Sequence, residues 1–280
     1  MTTTRAARAW APSHYLKFES SRLQPALDLL QRIHVPNNVA SIVDLGCGTG
    51  NITPFMRERW PHARIHCVDS SKDMLASARA AHAGIVDNVA YTQADFETFS
   101  VAEPVDVIFS NAALHWVSFD VHKVLLPRLF SLLKPGGVLA IQMPDTRVQA
   151  SHVLMPEAAR ALGVDIAGVR WVTTEEDPSA YYGLFAAIAR PDHIHLWSTE
   201  YTQVLLPAPR DKEPAYRHPV VDFVSSTGLG PYVHAIDDPT VREAFLQEYA
   251  SRIAAAYPVQ ADGHVLFPFK RFFCVVQRDD

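Results

Sequence analysis

Cysteine is scarce in this chain. Only Cys47, Cys67 and Cys274 occur among 280 residues, far apart and in apolar or glycine-rich settings, so neither a disulfide framework nor a cysteine metal site has the spacing it needs. Positive charge is also short: 25 Lys and Arg against 30 Asp and Glu leave a formal net charge of −5. Such a chain lacks the broad positive field that neutralises phosphates, which argues against nucleic acid and anionic membrane surfaces as partners. No run reaches the roughly 18 apolar residues of a membrane helix, and no signal-peptide core is visible. The 13 histidines form no HExxH pair and no dense cluster with cysteine or carboxylates, so no metal is expected. Residues 1–18 carry Arg5, Arg8 and Lys17 but no acid, as a short organellar presequence would; the stretch is brief and runs into helix-forming sequence. The expectation is a cytoplasmic protein in a reducing compartment, with mitochondria as the second option.

What the chain has is core. Hydrophobic residues make up 48% and charged residues 20% of it, the balance of a soluble globular protein. Between residues 39 and 143 short apolar runs alternate with longer amphipathic stretches, the pattern of βα units. It predicts strands over 39–45, 64–69, 89–94, 105–110 and 137–143, with helices near 51–59, 72–83 and 121–133, the last stopped by Lys134, Pro135 and Gly136. Because parallel neighbours need helical, right-handed crossovers, the fold class is α/β with a doubly wound, mostly parallel sheet. Ahead of it, residues 13–33 read as a helix bent or interrupted near Pro25. After 145 the pattern predicts helices over 148–162 and 178–189, a β-rich segment over 194–206, helices over 220–227 and 239–257, and a final strand over 265–277. Prolines at 207, 209, 214 and 219 mark a surface connection. These later pieces read as insertions over the ligand edge of the sheet; a separate helical domain is the runner-up.

The chemistry concentrates in Asp44-Leu45-Gly46-Cys47-Gly48-Thr49-Gly50, which leaves a predicted strand and enters a predicted helix through Asn51. In that context the glycines permit a tight turn, a close backbone approach to a ligand and helix N–H groups beside it. Asp69 ends the second strand nineteen residues after Gly50, where an acid can accept hydrogen bonds from both ribose hydroxyls. A solvated strand-end Asp is the plain alternative. The spacing G-x-G-x-G differs from the G-x-G-x-x-G that accommodates a pyrophosphate, which favours an adenosyl ligand without phosphates over a nicotinamide dinucleotide.

With Asp69-Ser70 after the second strand and Asp95-Phe96 after the third, this loop resembles that of the class I S-adenosylmethionine-dependent methyltransferases. The resemblance implies a Rossmann-like sheet of seven strands, with S-adenosyl-L-methionine as cofactor. It implies that Asp69 holds the ribose, Asp95 meets the adenine amino group and the Gly46 to Gly50 loop faces the methionine portion. Met74 would touch the adenine, or equally serve as a helix core residue. After the fourth strand comes Asn111-Ala112-Ala113-Leu114-His115-Trp116, in which Asn111 would bind the cofactor's amino-acid end while His115 and Trp116 line the transfer pocket; core packing is a rival role for the indole. Tyr15-Leu16-Lys17-Phe18 with Arg22, Gln142-Met143-Pro144-Asp145, His152-Val153-Leu154-Met155, Tyr181-Tyr182, Thr227-Gly228-Leu229, Tyr257-Pro258 and Arg271-Phe272-Phe273 extend the resemblance, from about Trp10 onward, to the trans-aconitate 2-methyltransferase family. Gln24, His115 and the segment 163–177 depart from that family's pattern. Arg170 and Arg147, in or near the divergent segments, are candidates for replacement charge. The implied layout is a single domain: a cap helix over 1–36, a cofactor-binding core over 37–145, cap insertions over 146–192 and 207–262, and final strands over 193–206 and 263–280.

A carboxylate acceptor suits a sequence without a catalytic triad or strong base pair, because a carboxylic acid with a pKa of about 4 is already ionised at neutral pH. A small polycarboxylate also needs cations and donors; by family position these are Arg22 and Arg271, with Tyr15, Lys17, Tyr181 and Tyr182 beside them. His115 is the one candidate base, with a hydrogen-bonding or packing role as its alternative. Three readings remain open: an O-methyltransferase for trans-aconitate, a methyltransferase for another carboxylic acid or a natural-product hydroxyl, and a cofactor-binding module without turnover. The expected assembly is a monomer or a weak homo-oligomer.

Overall fold

A computed structural model of the chain describes residues 19–35, 38–170, 173–207, 218–225 and 227–279, with side chains from residue 23 onward. Seven strands, β1 (Ser41–Leu45), β2 (Arg64–Asp69), β3 (Val89–Gln93), β4 (Val105–Asn111), β5 (Leu133–Pro144), β6 (Ile194–Leu205) and β7 (Val265–Gln277), form one sheet in the order β3-β2-β1-β4-β5-β7-β6. The first five are mutually parallel, whereas β7 runs antiparallel to both β5 and β6. Strands covered on both faces need apolar residues at successive positions, as in Val107-Ile108-Phe109 of β4 and Val138 to Ile141 of β5.

Nine helices occur among the described residues: α1 (Glu19–Gln31), α2 (Thr53–Arg59), α3 (Lys72–His82), α4 (Phe119–Ser131), α5 (Ala150–Ala161), α6 (Pro178–Ala186), α7 (Pro219–Ser225), α8 (Gly230–Ala235) and α9 (Pro239–Ala256). Side-chain caps set several starts. Ser71 accepts from Met74 N before α3 and Ser118 from Val121 N before α4. Asp177 and Asp238 cap α6 and α9, each followed by a proline whose missing N–H costs nothing in the first turn.

One face of the sheet packs Leu139, Ile141, Met143, Phe272 and Cys274 against Leu125 and Leu129 of α4 and Tyr181 and Phe185 of α6. The other packs Ile42, Phe109, Ala140, Phe273 and Val275 against Leu29, Leu30 and Ile33, with Met56 of α2. A third cluster joins Met155 of α5, Val220 and Phe223 of α7, and Phe245, Tyr249 and Ile253 of α9 to Leu205, Phe267 and Phe269. The cap is thus built on the outer end of the β6–β7 ribbon.

Four sequence expectations are corrected. β1 begins at Ser41 rather than 39, and α4 ends at Ser131, because Leu133 already pairs with Val105 and the Lys134 to Gly137 stretch is an irregular entry into β5. Of the bend or interruption expected near Pro25, the interruption is absent, since Pro25 lies inside α1. The helix predicted over 220–227 stops at Ser225, and α8, which the sequence did not announce, follows. The start of the predicted N-terminal helix and most of the proline-rich connection, 208–217, lie outside the described residues.

Candidate active site

The carboxyl ends of β1, β2 and β4 meet at the glycine loop. Gly46 N and Cys47 N both donate to Val68 O of β2, at 2.8 and 3.0 Å, which turns the chain off β1. Gly50 has φ +77, and a Cβ there would lie 2.5 Å from the His82 ring. His82 uses that proximity: its Nε2 donates to Gly50 O at 2.9 Å while its Nδ1 accepts from Tyr91 Oη at 2.6 Å. Gly48, at φ +55, has nothing within 4 Å of its missing Cβ. It leaves open space at the centre of the loop.

Asp69 is fixed from two sides, its Oδ2 accepting from Gly48 N at 2.9 Å and its Oδ1 from Ser71 N at 2.8 Å. Each oxygen keeps lone-pair capacity for a further donor. Ser70 is exposed beside it, and Met74 is buried in the first turn of α3. Asn51 accepts from Thr49 Oγ1 at 2.9 Å. Beyond β3, Asp95 is exposed and its Oδ1 accepts from the hydroxyl and N–H of Thr98, which hold its carboxyl below the usual carboxylate range. Phe96 is half-buried next to it. For the Cys47 thiol, contact with Cys67 and then burial raise the pKa, so it is held as a neutral thiol.

A second feature was invisible in the linear sequence. Strand alternation puts Asp44, Asn111, Gln142 and Arg271 on one face of the sheet, the face that carries Ile42, Phe109, Ala140 and Phe273 and packs on α1. Register places Asn111 beside Gln142 and Arg271 beside Pro144. Asp44 Oδ2, Asn111 Oδ1 and both amide atoms of Gln142 are buried without a hydrogen-bond partner. Burial, then the charge of Asp69, raises the Asp44 pKa to about 7. Gln142 belonged to a quoted motif but was not assigned to the site; its unpartnered amide is a signal only coordinates supply.

His115 is buried in a short 3-10 turn after β4, its Nδ1 also unpartnered. Burial first, then the Arg271 charge, lower its pKa to about 3, so it is neutral at physiological pH. His152 is buried and lowered to about 3 for the same two reasons. Trp116 is 39% exposed and lies against the His115 ring with centroids 5.5 Å apart. Arg271 is buried, with its guanidinium 4.3 Å from the Phe269 ring centre.

Other candidates are placed differently from expectation. Tyr181 is fully buried in the sheet core and its hydroxyl donates to His122 Nδ1 at 3.0 Å, while His122 Nε2 donates to Leu114 O at 2.9 Å. The rings of Phe119 and Phe272 pack against the Tyr181 ring, with centroids 5.2 and 5.1 Å away. Tyr182, the next residue on the helix, faces outward at 44% exposure. Arg147 forms a two-point pair with Asp145 at 2.8 and 3.0 Å, and Lys270 joins that carboxylate at 3.0 Å. Arg170 grips the chain itself, donating to the carbonyls of His115, Trp116 and Val117 and to Glu175 Oε1. Both arginines are thus engaged by groups of the chain itself. Tyr15 and the side chain of Arg22 lie outside the described residues.

Similarity to known proteins bears on the fold and the family. A methyltransferase domain family matches residues 42–137, from β1 into β5. Among solved structures, the YcgJ protein from Bacillus subtilis superposes with a TM-score of 0.56 at 14% identity, over 92% of this chain and 99% of that one. Phosphoethanolamine N-methyltransferase 2 of Haemonchus contortus, solved with S-adenosyl-L-methionine, gives 0.53 at 18% identity, over 91% of this chain and 53% of that one. These two share the fold. Closer in sequence are trans-aconitate 2-methyltransferase of Azoarcus sp. (strain BH72), 42% identical over 96% of this chain and 99% of its own length, and that of Escherichia coli (strain K12 / DH10B), 35% identical over 96% and 98%. A match of that extent spans the glycine loop, the turn after β4 and the cap alike, and the chain belongs to the trans-aconitate 2-methyltransferase family.

Proposed function

We propose that the protein transfers the methyl group of S-adenosyl-L-methionine to a carboxylate of trans-aconitate. The observation that carries the reading is the 42% identity to a trans-aconitate 2-methyltransferase over 96% of this chain, cap included. The residues present fit the cofactor. Gly48 leaves room for a ligand against the loop, Asp69 keeps lone-pair capacity on both oxygens for a ribose diol, and Asp44 and Asn111 offer unpartnered acceptors to an ammonium. Asp95, with Phe96 and Met74, would border the adenine, with Ser70, Cys47 and Asn51 completing the loop side. When bound, the sulfonium supplies an electrophilic methyl group to an acceptor oxygen in an in-line displacement.

The chain's own contribution is placement. Arg271 puts a buried positive charge at the acceptor end of the polar row, suited to a carboxylate. His115 is too weak a base, at about 3, to take a proton from an alcohol, so an acceptor already ionised at neutral pH suits this site. The half-exposed Trp116 borders the opening. Asp145, Arg147 and Lys270 form a closed ion-pair group that anchors the start of the cap rather than binding acid. A single domain with the layout 1–36, 37–145, 146–192 with 207–262, and the two final strands fits the shared cores. A cytoplasmic monomer or weak homo-oligomer belongs to the same reading, in keeping with a small-molecule acceptor and bacterial relatives.

Incubation of purified protein with S-adenosyl-L-methionine and a panel of trans-aconitate, citrate and a long-chain fatty acid tests the reading by mass spectrometry. A monomethyl ester of trans-aconitate is expected. An ester from the fatty acid alone, or none, would overturn it.

A further inference from the structure

The least explained residue in the molecule is Gln142. It lies in the middle of the sheet on β5, is 1% exposed, and has neither amide oxygen nor amide nitrogen bonded, although its own backbone carbonyl is engaged by Ala112 N at 2.9 Å. A buried primary amide without partners is destabilising relative to an apolar side chain of the same size, so its presence calls for a partner from outside the chain. Its neighbours indicate which one. On one side, in register, stands Asn111, whose Oδ1 is also unpartnered and which faces the cofactor loop. On the other, two residues further along the same face of the paired strand, stands buried Arg271. Gln142 is therefore between the donor half of the site and its cation.

We propose that Gln142 binds the carboxylate that accepts the methyl group, its Nε2 donating to one oxygen, while Arg271 holds a second carboxylate of the same acid. The division follows from the chemistry. A carboxylate paired to a guanidinium has its charge drawn toward the cation and is a poorer nucleophile, whereas a neutral amide orients it and leaves its charge available. Neutral His115, with its unpartnered Nδ1 and its ring in the turn that follows β4, completes an uncharged wall on this side. The site accordingly reads a diacid as two unequal ends, and the spacing between Gln142 and Arg271 selects which end reacts. This rests on the carboxylate acceptor proposed above.

The test compares wild type with Gln142→Leu and Gln142→Glu. Loss of a hydrogen bond to a charged group predicts a fall in kcat/KM for the acid of roughly ten- to hundred-fold in Gln142→Leu, and a larger one in Gln142→Glu, where like charges face each other. Binding of S-adenosylhomocysteine stays within about twofold of wild type. Because Leu removes an unpartnered buried amide, the melting temperature of Gln142→Leu in the absence of ligand is equal to or above that of wild type, an effect that a merely structural Gln142 would reverse. A Gln142→Leu enzyme with wild-type kcat/KM on whichever acid of the panel the wild type esterifies overturns the assignment, as does a fall in kcat/KM matched by a fall in melting temperature. Failure of wild type to esterify trans-aconitate while it esterifies another acid overturns the substrate proposed above and leaves this comparison to be read on that acid.

Discussion

Single residues in the cofactor half answer to pH and to volume. Asp44 has its pKa raised from the ordinary 3.8 to about 7, by burial first and the Asp69 charge second. A carboxyl whose folded pKa lies above its unfolded one binds more protons in the native state, so this contribution to stability is present at low pH and falls as pH rises from about 4 to about 7. Asp44→Asn removes that dependence: the urea midpoint of the variant is close to wild type near pH 4 and exceeds it increasingly up to pH 7, by at most about 1.4 kcal/mol of stability per pH unit. Equal midpoints at pH 7 would contradict the raised pKa. At Gly48, a methyl group would enter the open space at the loop centre and meet a backbone at φ +55 that disfavours side chains. Gly48→Ala is expected to weaken S-adenosylhomocysteine binding at least about tenfold by calorimetry, with about 1 kcal/mol lost from stability. The loop and Asp69 were legible in the sequence because their chemistry is local: residue type, spacing and a strand-to-helix transition suffice. His82 and Gln142 were not, since one acts on a carbonyl 32 residues away and the other is defined by what it fails to bond within the fold. Tyr181 shows the converse, a residue with binding chemistry that packing turns inward onto His122.

At the level of elements, the segment after α5 works as a strap. Arg170 donates to three consecutive carbonyls of the His115–Val117 turn, Glu175 Oε1 accepts two bonds from the guanidinium, and Glu175 Oε2 accepts from Phe119 N at the start of α4. The turn that carries His115 and Trp116 is thus held by side chains from the segment between α5 and α6. Arg170→Ala is expected to lower kcat/KM for the acid by roughly tenfold while cofactor-product affinity is unchanged; Arg170→Lys does not restore it, because one ammonium cannot reproduce a planar fork shared among carbonyls and a carboxylate. Restoration by Lys would reduce the role of Arg170 to charge alone. Sequence reading offered Arg170 as substrate charge because backbone carbonyls, its real partners, carry no residue-type signature. The same limit explains β5: Lys134 to Gly136 reads as a helix stop after Leu133, and only pairing with β4 makes Leu133 the first strand residue.

For the whole molecule, the alternation of apolar runs gave away the parallel half of the sheet, including most of its strand ends to within two residues. The cap was legible in α5, α6, α7 and α9 but not in α8, the short helix that opens at Gly230 and Pro231. Its core is not self-contained: Phe267 and Phe269, which fill it, belong to the same strand as Phe272 and Cys274 of the sheet core. Unfolding should accordingly be one cooperative transition by fluorescence and circular dichroism alike. S-adenosylhomocysteine at a hundred times its Kd should add about 2.7 kcal/mol to stability. Two separate transitions would mean that cap and sheet are independent units. The β6–β7 ribbon, paired without interruption from Ile194↔Val276 to Leu205↔Val265, encloses every residue from 206 to 264 in what is formally a hairpin loop. Insertions or deletions inside that loop leave Arg271 opposite Thr199 and Pro144, whereas one extra residue within β7 on either side of it rotates the guanidinium to the opposite face. A descendant of this chain is therefore free to exchange α7 to α9 as one piece, while Arg271 keeps its place in the sheet.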